Sequence, residues 1–331
     1  MRVTRSAPVA VTVALQTDKS TADYARLAQA AEAVGLEGIS VFSDLGFQPP
    51  GPALAILAEH TSHLRIGVAC YNPAVTHPVH IAAEAAALQR LSGGRGYVGL
   101  ARGAWLDRIG LTDDGGLSRF GEVLEVLDTI LAGDDRGYAG QFYRINPGFR
   151  LADPPGPMPT LVGTWGPRTA ALAADHGVAE IKVGGSAHPD LVTRIRAATA
   201  DRASVVLGAV TVCDPDRRAA RRLARREVAL YLDVVAGLDP DPAIDPEALS
   251  TLRSALRRGD LDGAAAAVPD AALSRFAFAG TPADITDQAA GLVAAGVGRI
   301  EFGTPHGLDA LTGIELLGRR VAPAIREAAR S

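Results

Sequence analysis

One local pattern recurs along this chain and limits its possible folds more than any other feature. An amphipathic helical segment runs into a glycine and then into a short β-branched segment, as in "AAEAVGLEGISVFS" (30–43), "LAADHGVAEIKVGG" (172–185) and "LVAAGVGRIEFG" (292–303). The glycine in each copy can take the left-handed backbone conformation that ends a helix. The segment that follows is typical of a strand buried on both faces of a parallel sheet. The repeated unit therefore predicts an α/β protein.

Eight strands are predicted, with helices between all of them. They are expected near residues 9–15, 38–43, 64–70, 96–101, 159–164, 178–183, 204–212 and 298–303. This pattern in 331 residues fits a (β/α)8 TIM barrel better than two Rossmann halves, and no GxGxxG motif follows the first strand. We therefore expect residues 1–331 to form one barrel domain.

Two insertions are expected in this barrel. Residues 134–158 indicate a surface ribbon before strand five, and residues 237–279, rich in Asp, Pro and Ala, indicate short helices between strands seven and eight. Barrel enzymes vary their specificity through such additions, so both insertions are candidate substrate covers.

Composition argues against several classes of function. A net charge of -4 leaves no basic surface for nucleic acid. No apolar run reaches the roughly 18 residues of a membrane span, and the N-terminus lacks the features of a secretory signal, so a cytoplasmic location is expected. Cys70 and Cys213 lie far apart, and no His, Asp or Glu cluster has metal-ligand spacing. Neither a disulfide scaffold nor a metal site is therefore expected.

Glycine-rich segments follow several predicted strands, at the barrel end where reacting groups normally lie. These are "GTWGPR" (163–168), which can combine with "KVGGS" (182–186), and "GTPHG" (303–307). Backbone N–H groups at such helix starts suit a phosphate, although an isolated glycine turn is more often only a turn. Lys182 is one of two lysines beside 31 arginines. It suits a point-charge contact to phosphate about as well as an ordinary place on the rim.

Three longer segments resemble a known family. "NPAVTHPVHIAAEAAALQRLSGGRGYVGLARG" (72–103), "YAGQFYRI" (138–145) and "FAGTPADITDQAAGLVAAGVGRIEFGTPHG" (278–307) resemble the luciferase-like flavin and deazaflavin oxidoreductases. The resemblance is greatest to the branch that uses coenzyme F420, whose archetype is methylenetetrahydromethanopterin reductase. It implies a (β/α)8 barrel, F420 or alternatively FMN as cofactor, a small-molecule substrate, and a homodimer. The dimer would form through outer helices of the first half, with "PPGPALAILAEH" (49–60) as apolar surface.

The resemblance also implies site residues. Asp44 matches the family's acidic residue beside the cofactor ring, and Tyr71 lies in the segment that backs the ring. Asp44, Tyr71 and His306 are the catalytic candidates; His306 and Glu301 are alternative proton donors by their positions after and within strand eight, not by the resemblance. The segment that backs the cofactor ring is implied to carry a cis peptide bond between Ala69 and Cys70. The residues expected to bind the cofactor are Asp44, Ala69, Cys70, Tyr71, Asn72, Gly166, Pro167, Arg168, Lys182, Gly184 and Gly185.

Simpler interpretations stand beside these. Asp44 can be a loop carboxylate, Tyr71 can be rim packing, and His77 is expected to brace the turn before Pro78. Cys70 is expected to be a small buried wall residue rather than a reactive thiol.

Departures from the family pattern limit what can be assigned. The acid of the methanopterin enzyme after strand one falls at Ala14, its aspartate after strand four at Ala104, and the histidine that usually follows Asp44 is Leu45. These changes argue against the pterin reaction and leave the proton donor unassigned. Three hypotheses remain: an F420-dependent oxidoreductase acting on an activated C=C or C=N bond or an alcohol, an FMN-dependent monooxygenase, and a cofactor-binding protein without turnover.

Overall fold

The computed structural model describes residues 9–112 and 115–330, and eight parallel strands in them close into a barrel. The strands, in chain order, are β1 (Ala10–Leu15), β2 (Gly38–Val41), β3 (Arg65–Val68), β4 (Gly96–Ala101), β5 (Tyr138–Ala139), β6 (Arg144–Ile145), β7 (Thr160–Gly163), β8 (Glu180–Gly184), β9 (Ser204–Cys213), β10 (Ala277–Gly280) and β11 (Arg299–His306). The barrel order is β1-β2-β3-β4-β7-β8-β9-β11, and β11 pairs back to β1. The predicted (β/α)8 fold is confirmed, with all eight predicted strands in place.

Helices alternate with the barrel strands and cover its outside. They are α1 (Thr21–Ala33), α2 (Pro50–Glu59), α3 (Pro78–Leu91), α4 (Gly116–Leu131), α5 (Pro167–Asp175), α6 (Pro189–Thr199), α7 (Arg217–Ala236), α8 (Pro246–Arg257), α9 (Leu261–Ala266), α10 (Asp270–Phe276), α11 (Pro282–Ala294), α12 (Ala310–Leu316) and α13 (Ala322–Ala328). No helix in the described ranges is both long and apolar enough to cross a membrane.

Local sequence accounts for where many of these helices begin and end. Ser20 caps α1 by accepting the Asp23 amide, and a reciprocal Thr281–Asp284 capping box starts α11. Beyond the helix ends, Gly35 and Gly296 have φ of +77° and +86°, as the repeated pattern predicted.

The ribbon expected before strand five is the antiparallel hairpin of β5 and β6. The second insertion differs from expectation at its end. Residues 246–276 form the short helices α8 to α10, but 277–280 form the strand β10, which the sequence analysis missed. The first half of β9 pairs with β8 as far as Gly208, and its last four residues, from Val210, pair with β10. The Ala-rich segment "AFAG" is a strand because β9 extends beyond β8 and offers it unpaired backbone groups.

The barrel interior contains large polar side chains because glycines face them. A Cβ atom on Gly67 would lie 2.6 Å from the Tyr97 ring, and one on Gly208 would lie 3.4 Å from the side chain of Glu301. Most apolar core residues instead fill the layer between strands and helices. In α2, Leu54, Leu57 and two alanines are buried in this layer. The apolar surface expected from residues 49–60 is therefore mostly used within the chain, and the homodimer stays a prediction.

Candidate active site

The carboxyl ends of the barrel strands form a mouth that collects most of the predicted site residues. Asp44 follows β2 and is half-buried there. Its carboxylate accepts a hydrogen bond of 2.8 Å from the side-chain amide of Gln16, which follows β1. The pairing holds Asp44 at the mouth, where a carboxylate can bind or exchange a proton with a ligand.

The segment after β3 forms one wall of the mouth. The Ala69–Cys70 peptide bond is cis, as predicted. The Cys70 side chain packs against Tyr97, Leu161 and Val206 inside the barrel. Burial raises the pKa of the Cys70 thiol to about 12, so the thiol is protonated at neutral pH. A protonated thiol is a poor nucleophile, and this placement supports the expectation of a wall residue.

Tyr71 lies on the opposite side of this wall. Its hydroxyl donates a hydrogen bond to Glu84 of α3, and its ring belongs to the core between strands and helices. The catalytic role suggested for Tyr71 is therefore wrong for this structure, because the side chain points away from the mouth. Successive residues of an extended chain face opposite sides, so sequence position alone could not separate Tyr71 from Cys70.

Asn72 and His77 shape the long connection from β3 to α3. The Asn72 side chain accepts the Ala74 amide at 2.9 Å. His77 caps α3, with Nδ1 accepting the Val79 amide at 3.2 Å, which confirms its predicted role as a brace. A Cβ on Gly103 would lie 1.8 Å from the Asn72 amide nitrogen, so glycine is needed where the next strand end approaches this turn.

The start of α5 is where the sequence predicts an anion site from "GTWGPR". Gly166 precedes the helix, Pro167 opens it, and no side chain in the described chain caps this end. The Gly166 amide donates to the Thr164 hydroxyl at 3.0 Å, and Arg168 is exposed beside it. The amides of the first helical turn are oriented for an anion by the helix geometry.

Gly184 and Gly185 lie beside this helix start but contribute differently from the prediction. The Gly185 amide donates to the Gly208 carbonyl at 2.6 Å, so it is already occupied. The indole N–H of Trp165 donates to the Gly184 carbonyl at 2.9 Å and joins the two glycine-rich segments. Gly185 has φ of +79° and packs close to Tyr231 of α7. These glycines shape the wall rather than forming a cradle of free amides.

Lys182 is not on the rim. Its side chain is 6% exposed, and its ammonium group is paired with Glu301 inside the barrel, below the mouth. The suggested exposed phosphate contact is therefore wrong for Lys182. Burial raises the pKa of Glu301, but Lys182 and Arg299 outweigh burial and hold it below its usual value. Glu301 is ionised at neutral pH and does not serve as the alternative proton donor.

The pair is part of a buried polar network that sequence analysis did not find. Glu301 also accepts a hydrogen bond from Ser40, whose hydroxyl lies 2.5 Å from that of Tyr97. Below it, Arg299 donates to Glu180 at 2.9 Å. The only sequence signal was the presence of charged residues at alternate positions of otherwise apolar strands, such as Arg299 and Glu301.

The "GTPHG" segment is closed. Residues 303–306 continue β11, with Pro305 opposite Thr211 and His306 opposite Val212 of β9. His306 is fully buried, and its Nε2–H donates to the Ala14 carbonyl at 3.1 Å. Burial lowers the pKa of His306 to about 4, so the ring is neutral at pH 7. The phosphate loop at 303–307 and the catalytic role of His306 are both wrong for this structure, because strand pairing and packing occupy these groups.

A separate groove of about 360 Å³ lies at the opposite end of the barrel. It is lined by residues of α4 and by the segments that enter β7 and β8, among them Asp128, Met158 and His176. Because it is at the amino ends of these strands, it is not part of the mouth.

Comparison with known proteins agrees with this arrangement. The sequence model of the luciferase-like monooxygenase family matches residues 1–299. The chain is 29% identical over 293 residues to 5,10-methylenetetrahydromethanopterin reductase of Archaeoglobus fulgidus, covering 82% of this chain and 86% of that protein.

Solved structures extend this similarity to the whole fold. Coenzyme F420 dependent tetrahydromethanopterin reductase from Methanopyrus kandleri superposes with a TM-score of 0.87 at 25% identity, covering 96% of this chain and 99% of that one. An F420-dependent secondary alcohol dehydrogenase, in complex with an F420-acetone adduct, shares the fold with a TM-score of 0.77 at 14% identity, covering 96% and 99%. This chain belongs to the luciferase-like monooxygenase family and is an oxidoreductase.

Proposed function

We propose that this protein is a coenzyme F420-dependent oxidoreductase that transfers a hydride between the deazaflavin and a small organic substrate. The substrate carries an activated C=C or C=N bond, or is an alcohol in the oxidative direction. The similarity over 82% of the chain to a methylenetetrahydromethanopterin reductase supports the choice of cofactor.

The observation that carries the proposal is the uncapped start of α5 at the same mouth as the Cys70 wall. A Cβ on Gly166 would lie 3.6 Å from its nearest neighbours, the hydroxyl oxygens of Thr164 and Thr169, so the helix start is not crowded by protein atoms. Gly163 lies at the end of β7, beside Cys70. A Cβ atom at this position would lie only 2.8 Å from the Cys70 sulfur, so glycine leaves room for the Cys70 side chain in the wall. A helix start that suits an anion, next to a wall of small side chains, fits a cofactor that has a phosphate group and a planar ring.

The chain's own residues would divide the remaining work. When bound, the deazaflavin supplies two-electron chemistry. The first turn of α5 would hold its phosphate with backbone N–H groups, while Ala69 and Cys70 would support one face of the ring. Asp44, fixed by Gln16, is the candidate at the mouth for holding or moving a proton, since His306 is buried and neutral and Glu301 is ionised.

The substrate is proposed to differ from the pterin of the reductases. Alanine occupies position 14, whose side chain is fully buried, and position 104, so two carboxylates of the pterin enzymes are missing. Leu45 replaces the histidine after Asp44. A smaller or less polar substrate is consistent with these apolar replacements.

An FMN-dependent monooxygenase is the second candidate. The observation in its favour is the family itself, which is described as luciferase-like monooxygenase. The two candidates share the phosphate site and the ring wall, and they differ in the cofactor that the mouth accepts.

A thermal-shift comparison of F420, FMN and NADPH tests the proposal. Ligand at about 100 times its Kd should add ~2.7 kcal/mol of stability. We expect stabilisation by F420 and not by the other two. The substitution Gly166→Asp should abolish it, because a carboxylate would then face the phosphate, whereas Gly166→Ala is the matched control that adds a methyl group without charge.

The outcomes distinguish the candidate functions. Stabilisation by FMN alone would favour the monooxygenase, and stabilisation by neither F420 nor FMN would overturn the phosphate-cofactor site. Binding of F420 without conversion of any alcohol, enone or imine would support the binding protein without turnover.

A further inference from the structure

A buried ion pair lies directly beneath the proposed cofactor pocket and has no part in the function described so far. Lys182 of β8 and Glu301 of β11 have side chains that are 6% and 1% exposed. The two strands are not neighbours, because β9 lies between them. The pair meets across Gly208 of β9, which lies opposite both Gly184 and Glu301 in the strand register.

Burying such a pair in a barrel interior has a large desolvation cost. TIM barrels usually fill this space with branched apolar side chains. Removing two charges from water costs several kcal/mol per ion, and apolar replacements of similar volume are often neutral or stabilising. Stability alone therefore does not explain why the interior is charged.

The pair is close to the wall of the mouth. Lys182 lies opposite Gly163 in the register of β7 and β8, and the missing side chain of Gly163 leaves the space that the Cys70 sulfur faces. The Lys182 ammonium is 5.1 Å from the centre of the Phe42 ring, which follows β2 at the same mouth. Burial has the largest effect on the pKa of the Cys70 thiol and raises it, while the Lys182 charge lowers this pKa and the Glu301 charge raises it. The charges of both members of the pair therefore act at the wall.

The charges around the pair are balanced. Lys182 and Arg299 face Glu301 and Glu180, and Arg65, whose side chain is 43% exposed, lies at the edge of the group beside Glu180. Loss of the Lys182 charge would leave the buried interior more negative by one unit. Loss of the Glu301 charge would leave it more positive by one unit.

We infer that the Lys182–Glu301 pair sets the electrostatic potential at the floor of the cofactor pocket and thereby the reduction potential of the bound deazaflavin. The inference rests on the proposed function. When the substrate gives up a hydride, it loses two electrons and one proton, and the cofactor ring gains them and becomes one unit more negative. A cation near the ring favours that reduced form, and protein charges near such rings tune their potential. Lys182 and Glu301 are positioning residues in this role.

The test needs no substrate, because the two oxidation states of the cofactor can be bound separately. Fluorescence or calorimetric titration gives the Kd of oxidised and of reduced F420, and the ratio of the two fixes the shift in potential on binding. A tenfold change in that ratio corresponds to about 30 mV for a two-electron couple.

The expected changes have opposite signs. Lys182→Met should weaken binding of the reduced form relative to the oxidised form by about tenfold, as expected for one unit charge near a site in a protein interior. Glu301→Gln should shift the ratio in the other direction, and Lys182→Arg should leave it near the wild-type value. Arg202→Met, which removes a half-exposed cation at the amino end of β9, away from the mouth, is the matched control and should not change the ratio.

Failure of the proposed function and failure of this inference give different results. If wild-type protein binds neither form, the proposed function fails. If F420 binds and the ratio is the same in Lys182→Met and Glu301→Gln, or moves in the same direction in both, this inference fails. Circular dichroism establishes that each variant is folded. If Lys182→Met does not fold, Glu301→Gln alone decides, since an unchanged or lowered relative affinity for the reduced form overturns the inference.

Discussion

Two strand ends of this barrel have nearly the same sequence pattern and opposite structures. "GTWGPR" (163–168) leaves β7 after Gly163 and opens directly into α5, whose first turn no side chain in the described part of the chain caps. "GTPHG" (303–307) stays in β11 as far as His306, and the helix that follows, α12, is capped by Asp309. The first helix start keeps the uncapped amides that the proposed anion site needs, whereas the Asp309 side chain caps the second.

The difference comes from the neighbouring strands. β7 pairs with β8 through Gly163, the Thr164 amide donates to the Lys182 carbonyl at 2.8 Å, and the chain then leaves the sheet and enters α5 at Pro167. β11 lies beside β9, which has ten residues and extends far enough to pair with Pro305 and His306. Glycine at a strand end therefore indicates that another group approaches the backbone closely. The length of the neighbouring strand decides whether that group is a strand or is left to be a ligand.

The largest effect on stability should come from adding one methyl group at the closed end, which is "GTPHG" (303–307) with the following helix α12; "GTWGPR" (163–168) with α5 is the open end. Gly313→Ala would place Cβ 2.4 Å from the His306 carbonyl and 2.7 Å from the Gly307 amide, so backbone must move. We expect a loss of about 3 kcal/mol or more in unfolding free energy, at the upper end for over-packing. Gly166→Ala at the open end, where the nearest atoms are 3.6 Å away, is the matched control and should cost less than about 1 kcal/mol. Urea denaturation measures both, and equal losses would contradict the contrast.

The buried imidazole of the closed end should make stability depend on pH. The pKa of His306 is about 4 in the folded state and about 6.5 as a reference. Between these values the unfolded chain binds a proton and the folded chain does not. Stability is therefore complete above pH 6.5 and falls by roughly 3 kcal/mol as the pH decreases to 4.

The variant His306→Asn should flatten this dependence, and asparagine tolerates the left-handed φ of +76° at this position. His63→Gln, at an exposed site, is the control and should keep the wild-type slope. The unfolding free energy of each variant is measured between pH 7 and 4.5. If His306→Asn kept the same pH dependence as His63→Gln, His306 would not be its source.

A smaller effect is expected where Asp309 caps the closed end. Its carboxylate accepts the Thr312 amide at 2.8 Å and the Thr312 hydroxyl at 2.7 Å. Asp309→Ala should cost about 1 kcal/mol, the usual value for a lost helix cap, and Asp309→Asn should restore most of it. Thermal unfolding of the two variants checks this, and an unchanged melting temperature in Asp309→Ala would show that the cap is unimportant.

The smallest effect is expected at the wall beside the open end. Cys70 is a protonated wall residue, so Cys70→Ala should change F420 binding by less than about 0.5 kcal/mol. Ala69→Val, next to it, should weaken binding more, because Ala69 is only 8% exposed and a larger side chain would crowd the wall. Titration with F420 compares them, and a large loss in Cys70→Ala would return the thiol to consideration as a functional group.

Features that depend on near neighbours in the chain could be predicted from the sequence. The alternation of helices and strands, the Ser20 and Thr281 caps, and the left-handed glycines after the helices all follow from interactions within a few residues. The eight strands followed from their apolar runs, and the barrel followed from their number and order. Asp44, Cys70 and Gly166 could be placed at the mouth because the carboxyl ends of parallel strands meet there.

The direction in which individual side chains point, and the groups with which they pair, could not be predicted in this way because they depend on long-range contacts. Tyr71 turns outward to Glu84, β10 pairs with the end of β9, and His306 is buried by a strand partner from elsewhere in the chain. The Lys182–Glu301 pair joins residues 119 positions apart across a glycine on a third strand. Such contacts depend on the closure of the barrel, which brings distant residues within a few ångströms, and no local pattern in the chain encodes them.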